Sequence, residues 1–165
     1  MKKLLIALLL AMPMSIFAQK FAHFNSADVI QAMPEYTTAQ NELQALEKQY
    51  TDELQRMQTE LQTKSEDFEK NEATMQAAVK ERRQQELQDL YKRLQEYYQT
   101  SQQEMQKAQT EKMQVIADKV HKAVESVGKA GGYVYVMDTT SGIPYISETL
   151  STNVTAQVKS QLGIK

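Results

Sequence analysis

The sequence predicts an α+β protein, mostly α, with a long antiparallel helical hairpin standing as a coiled-coil arm on a small β-sheet body. Three observations carry this reading. First, the 93 residues 35–127 contain no glycine and no proline, the two strongest punctuators of local structure. They are rich in Gln, Glu, Lys, Ala, Leu, Met and Arg, which lose little freedom in a helix. Second, apolar residues there recur at steps of three and four, the helical period and not the strand period of two. Third, segments of strand character occur only at the two ends.

In chain order, residues 1–18 read as a secretory signal peptide. Lys2 and Lys3 supply the positive start, residues 4–11 an apolar run, and Ile16-Phe17-Ala18 the cleavage region. The 15 mostly apolar residues 4–18 fall short of the ~20 that span a bilayer, so cleavage is expected and an anchor is not. No later segment is apolar enough to insert stably in a membrane. The absence of cysteine excludes a thiol-linked lipid anchor, disulfides and thiolate metal sites. A periplasmic protein of residues 19–165 is expected. Its formal charge is −4, the whole-chain −2 less the two signal lysines. Mild acidity disfavours nucleic acid and anionic membrane as charge-driven partners.

Residues 20–24 (KFAHF) form an expected strand, and Ser26 an expected cap for a short helix over residues 27–32. Pro34 and Glu35 open the arm, proline being tolerated in a first turn and an acid suiting the dipole. A first apolar seam runs through Tyr36, Ala39, Leu43, Leu46, Tyr50, Leu54, Met57, Leu61, Phe68 and Met75, thinning where Lys64 and Asn71 interrupt it. Its two successive steps of four at 46–54 form a stutter, which unwinds a left-handed supercoil locally. A second seam strengthens from Leu87 through Leu94, Met105, Ile116 and Val120 to Val127. The polar stretch between the seams predicts a turn near residues 70–75.

A continuous helix remains the alternative, since no glycine or proline marks that turn. The ends decide for the hairpin. Gly132-Tyr-Val-Tyr-Val-Met137 is a strong strand signal, and Ser141-Gly-Ile-Pro-Tyr-Ile146 suggests a turn and a further strand in hairpin with it. The first strand can join them only if residue 35 returns beside residue 127. Asn153 or Thr152 can cap a last helix carrying Val154, Val158 and Leu162. The body, residues 19–34 and 128–165, is small for an independent core and leaves sheet edges open. It is expected to oligomerise.

This layout resembles the Skp (OmpH-like) family of periplasmic chaperones. The carrying residues are the strand and short helix ending in Pro34-Glu35 with Ala39 following, the Gln/Glu/Lys-rich helical pair, the strand at residues 132–137, and Tyr145-Ile146 ahead of Asn153-Val-Thr-Ala-Gln-Val158 and Leu162. The resemblance implies a homotrimer with three helical arms around a cavity, holding unfolded outer-membrane proteins without ATP. One departure is charge. Well-known members are strongly basic, whereas residues 64–83 here carry five basic and five acidic side chains, which puts attraction of the arm tips to anionic lipid in doubt.

A holdase needs adaptable apolar surface. Met57, Met75, Met105 and Met113 offer flexible, polarizable contacts, and Tyr50, Phe68, Tyr97 and Tyr98 aromatic ones. These eight are the candidate client-binding residues, set against the blander reading that they are ordinary seam residues. Tyr98 cannot face the same way as Tyr97. Phe21, Phe24, Val134, Val136 and Ile146 are the candidate oligomerisation residues of the body. The rival function is a structural coiled-coil scaffold or spacer of the cell envelope. No catalytic residue, cofactor or metal site is expected. His23 falls in a strand, and His121 with Asp118 and Glu125 makes one imidazole and two exposed carboxylates, a weak ligand set. Gly131-Gly132 leads into a strand, not a phosphate-binding helix.

Overall fold

The computed structural model describes residues 19–164; the expected signal segment 1–18 lies outside them. Strand β1 (Lys20–Phe24) is followed by α1 (Ser26–Gln31), the long helices α2 (Pro34–Asn71) and α3 (Ala77–Gly131), β2 (Tyr133–Asp138), β3 (Ser151–Asn153) and α4 (Thr155–Gln161). One-turn 3-10 helices at Glu72–Thr74 and Thr139–Ser141 join α2 to α3 and follow β2. The fold class is the expected one: long helices packed back to back on a three-stranded sheet.

The strand order is β2-β1-β3, and both neighbours run parallel to β1. This corrects the expected third strand. Residues 143–146 form none, because Gly142 adopts a left-handed turn at φ 76° and Pro144 has no N–H to give a ladder. The third strand is instead Ser151–Asn153, which pairs with β1 and not with β2. Ile146 therefore lies off the sheet. Parallel strands need a crossover, and the crossover from β1 to β2 is the entire arm.

Two expected helix boundaries also shift. Asn25, not Ser26, caps α1, its Oδ1 accepting from the Asp28 N–H at 3.1 Å. Gly128 does not stop α3. The helix continues to Gly131, and Gly132 ends it at φ 65°, where a left-handed residue without Cβ is favoured. Gly128 serves a close approach instead: a Cβ there would meet Val136 Cγ2 at 3.3 Å. The last helix is capped differently from expectation as well: Val154 is its N-cap and gives no side-chain cap, while Asn153, one residue earlier at the end of β3, accepts at Oδ1 from the Thr155 N–H and hydroxyl.

The arm turns without glycine because its turn uses only negative φ. After the 3-10 turn, Met75 and Gln76 are extended at ψ 139° and 145°, and Asn71 Nδ2 donates to Asp67 O and Oδ1. At ~1.5 Å per residue α2 is about 57 Å long and α3 about 83 Å. Most seam residues are half-buried; Leu90 is buried in mid-arm and Ile116, Val120 and Ala123 at the root. A two-helix hairpin covers most seam side chains from one side only, so apart from Leu90 and Ser101 burial is concentrated where the body adds a third surface. There Val29, Val154 and Val158 are completely buried with Met33 and Ala22. Each buried valine contributes about 1.5–3 kcal/mol over an exposed one.

Asp138 ties the sheet to α1. Its Oδ1 accepts from the N–H groups of Ser26 and Thr140, and its Oδ2 from the Thr140 hydroxyl. Burial pushes its carboxyl up, but the hydrogen bonds from Ser26 and Thr140 together outweigh this and hold it below the usual carboxylate range. A depressed folded pKa contributes stability that is present at neutral pH and lost as pH falls through it. Asp138→Asn should cost about 1 kcal/mol at pH 7, and the difference from wild type should shrink below about pH 4. Urea unfolding at pH 7 and pH 3, at fixed protein concentration, measures both.

Candidate functional site

The surfaces available for partners are the flanks of the arm and the outer side of the body. On the arm, the rings of Tyr50 and Tyr97 meet edge-on across the hairpin, 6.1 Å apart at 71°. Desolvation, with Glu53 and Tyr50 nearby, pushes the Tyr97 hydroxyl up. Met57, Phe68, Met75, Met105 and Met113 are half-buried in the same seam. The arrangement thus leaves these side chains partly open without freeing them from the hairpin. Tyr98 alone of the eight candidates is exposed, at 53%. Tyr91 is exposed to the same degree and was missed by sequence reasoning. Its spacing of seven residues from Tyr98 was the available signal.

Ion pairs stitch α2 to α3 along one side. Lys119 Nζ lies 2.8 Å from Glu35, and Lys112 pairs with Glu42. Farther out, Lys64 pairs with Glu86, which also holds Arg83 at 3.0 Å, and Lys80 pairs with Glu72 at 2.7 Å beside the turn. The hydrogen bonds from Lys64 and then Arg83 hold the Glu86 carboxyl low, and Glu86 holds the Lys64 ammonium high. This explains the lysine within the seam: its charge is met across the interface. These side chains all keep about a third or more of their surface in solvent, so each pair contributes little to stability and serves register more than strength.

The body's candidates divide. Phe24 and Val136 turn inward, Phe24 buried and Val136 packed on the core. Phe21 and Val134 are exposed, and Phe21 stacks on exposed Tyr135 with ring centroids 6.2 Å apart. Met137 is exposed beside them. An apolar patch therefore covers the outer face of the sheet next to its β2 edge.

His23 Nδ1 hydrogen-bonds Ser151 Oγ at 2.8 Å, joining β1 to β3. Near His121, Asp118 accepts from Gln114 and Glu125 pairs with Lys129. Among the described residues no group of three or more His, Cys, Asp or Glu side chains is placed to hold a metal, and no helix is long and apolar enough to cross a membrane. The tyrosine contact can be weighed directly. A double-mutant cycle with Tyr50→Leu and Tyr97→Leu should give a coupling of about 0.5–1.5 kcal/mol in thermal or urea unfolding.

Residues 20–162 match the family described as Outer membrane protein (OmpH-like). The fold is similar to a crystal structure from Caulobacter crescentus CB15 of a provisionally assigned outer membrane chaperone (OmpH-like), with a TM-score of 0.75 and 15% identity. The likeness covers 87% of this chain and 83% of that one. At that identity it shows a shared fold. No curated protein matches the chain significantly. With the family match spanning arm and body alike, the chain belongs to the OmpH-like outer membrane protein family.

Proposed function

We propose that this protein is an ATP-independent holdase chaperone of the periplasm, exported by a signal peptide, residues 1–18, that is then cleaved. It binds unfolded outer-membrane proteins in a cavity between the arms of a homotrimer and prevents their aggregation. The observation that carries the reading is the half-covered seam. Tyr50, Met57, Phe68, Tyr97, Met105 and Met113 stay partly open along both long helices, as does Met75 in the link between them, and Tyr98 stands free beside them. A permanent scaffold would gain from burying such residues fully, whereas a holdase uses them as adaptable contacts.

The trimer is supported by the exposed apolar patch of Phe21, Tyr135 and Met137 beside the β2 edge. Soluble monomers seldom leave such a combination uncovered. Family membership supports an envelope role, and the provisional chaperone assignment of the Caulobacter protein agrees with it.

The test is aggregation of an unfolded outer-membrane β-barrel diluted from urea without nucleotide. Stoichiometric trimer should suppress light scattering, and a double Tyr98→Ser, Met105→Ser variant should bind the client about tenfold more weakly (~1.4 kcal/mol) while keeping its helicity. Unchanged aggregation with the wild-type protein would return the arm to the scaffold role. Parallel loss of helicity and binding would return the two residues to the seam.

A further inference from the structure

We infer that one broad side of the arm is an uncharged docking strip for a single extended segment of unfolded polypeptide; this deepens the holdase reading and rests on it. Along α3, Gln88, Gln95, Gln102 and Gln109 recur every seven residues, and Tyr91 and Tyr98 repeat at the same interval between them. All six are exposed. At 3.6 residues per turn they share an arc of ~80° beside the buried seam. The six charged residues of the same span, Asp89, Lys92, Arg93, Glu96, Glu104 and Lys107, fall on a separate arc of ~120° by the same geometry. In a chain with 24% charged residues, this strip carries no charge over about 31 Å.

The segregation extends across the hairpin. Tyr97 lies on the far flank of the seam, where it lines a depression with Asp52, Glu53 and Arg56. The Lys64–Glu86 pair lies on that flank too. On the opposite flank of α2, Gln44, Thr51 and Gln58 again step by seven, with Glu47 the one charge among them. One side of the arm is thus ionic and the other is amide, hydroxyl and phenol.

The chemistry fits one occupant. A glutamine amide both donates and accepts, as an unpaired backbone peptide group does. Tyrosine adds apolar area at small conformational cost with a polar tip. Neither depends on the sign of a client's charge, and covering glutamine costs far less than covering an unpaired ion. The strip's length is that of about nine residues of extended chain at ~3.4 Å each, close to the ~9–11 residues of one transmembrane β-strand.

The experiment measures the dissociation constant of the full-length mature protein for an unfolded outer-membrane β-barrel polypeptide, with circular dichroism and sedimentation run in parallel. A strip triple, Gln88→Glu, Gln95→Glu and Gln102→Glu, and its lysine counterpart at the same positions should each weaken binding at least tenfold. A control triple outside the strip, Gln49→Glu, Thr100→Glu and Gln103→Glu, should change it less than twofold. The uncharged Tyr91→Ser, Tyr98→Ser variant gives a second readout, with loss in the same direction. Three outcomes overturn the inference while leaving the holdase reading intact: all triples binding as wild type does, glutamate weakening but lysine strengthening binding, or the strip triples alone changing the sedimenting mass. The last would make the strip an interface between copies of the chain. Failure of the wild-type protein to bind the unfolded barrel overturns the holdase reading, and the inference with it.

Discussion

The structure depends on the parallel pairing of β1 with β2. Phe21 to Phe24 pair in register with Tyr135 to Asp138, and Lys20 pairs with Tyr133 across an irregularity that leaves Val134 unpaired, although more than a hundred residues separate the strands. Two parallel strands cannot be joined by a tight turn, so whatever lies between must leave the sheet and come back. Here that connection is a helical hairpin whose two limbs differ in length. The reversal at the tip is a consequence of this pairing, which is why it needs no glycine. The Met75-Gln76 link is extended and of ordinary handedness, and the sheet at the far end supplies the constraint that a hinge residue would otherwise provide.

Packing follows from the same geometry. Where the hairpin meets α1, α4 and the sheet, three surfaces converge and the core closes around Val29, Met33, Ile116 and Val158. Beyond it the two helices have only each other. The seam there is half-covered, buried Ser101 occupies a seam position with its hydroxyl donating to Tyr98 O, and register passes to partly exposed ion pairs. Burial and openness are therefore divided along one molecule: a closed root that fixes geometry, and a limb whose side chains keep contact capacity in reserve. The uncharged strip adds a division between the arm's two sides. Both divisions suit the proposed holdase, which would touch many unrelated chains without holding any of them by a specific pocket.

Much of this was legible in the sequence. The run without glycine or proline gave the helices, the interruption of the seams gave the expected reversal, and the β-branched and aromatic residues 133–137 gave a strand. The third strand was not legible. Ser151-Thr-Asn153 is three residues long without an apolar alternation, and it is a strand only because β1 offers it an edge. Ile143 to Ile146 had the better composition and lost to Gly142 and Pro144. Gly128 read as a stop because a glycine's close approach to Val136 is a tertiary fact. Among the candidate contacts, Tyr98 was readable from its offset to Tyr97. Tyr91 and the charge-free strip needed the orientation of both helices, since a list of seam positions does not say which flank is ionic.

The central claim is that the sheet returns the arm upon itself, and it can be measured as a distance. The chain has no cysteine, so Thr51→Cys and Gln95→Cys place two unique spin labels at exposed positions near the Tyr50–Tyr97 contact. Pulsed electron paramagnetic resonance, with labelled chain diluted in unlabelled protein, should give one short separation below about 25 Å, since packed helices lie ~8–10 Å apart. A separation near 66 Å, the length of 44 residues of unbroken helix at ~1.5 Å each, would contradict the folded-back arm and the fold built on it.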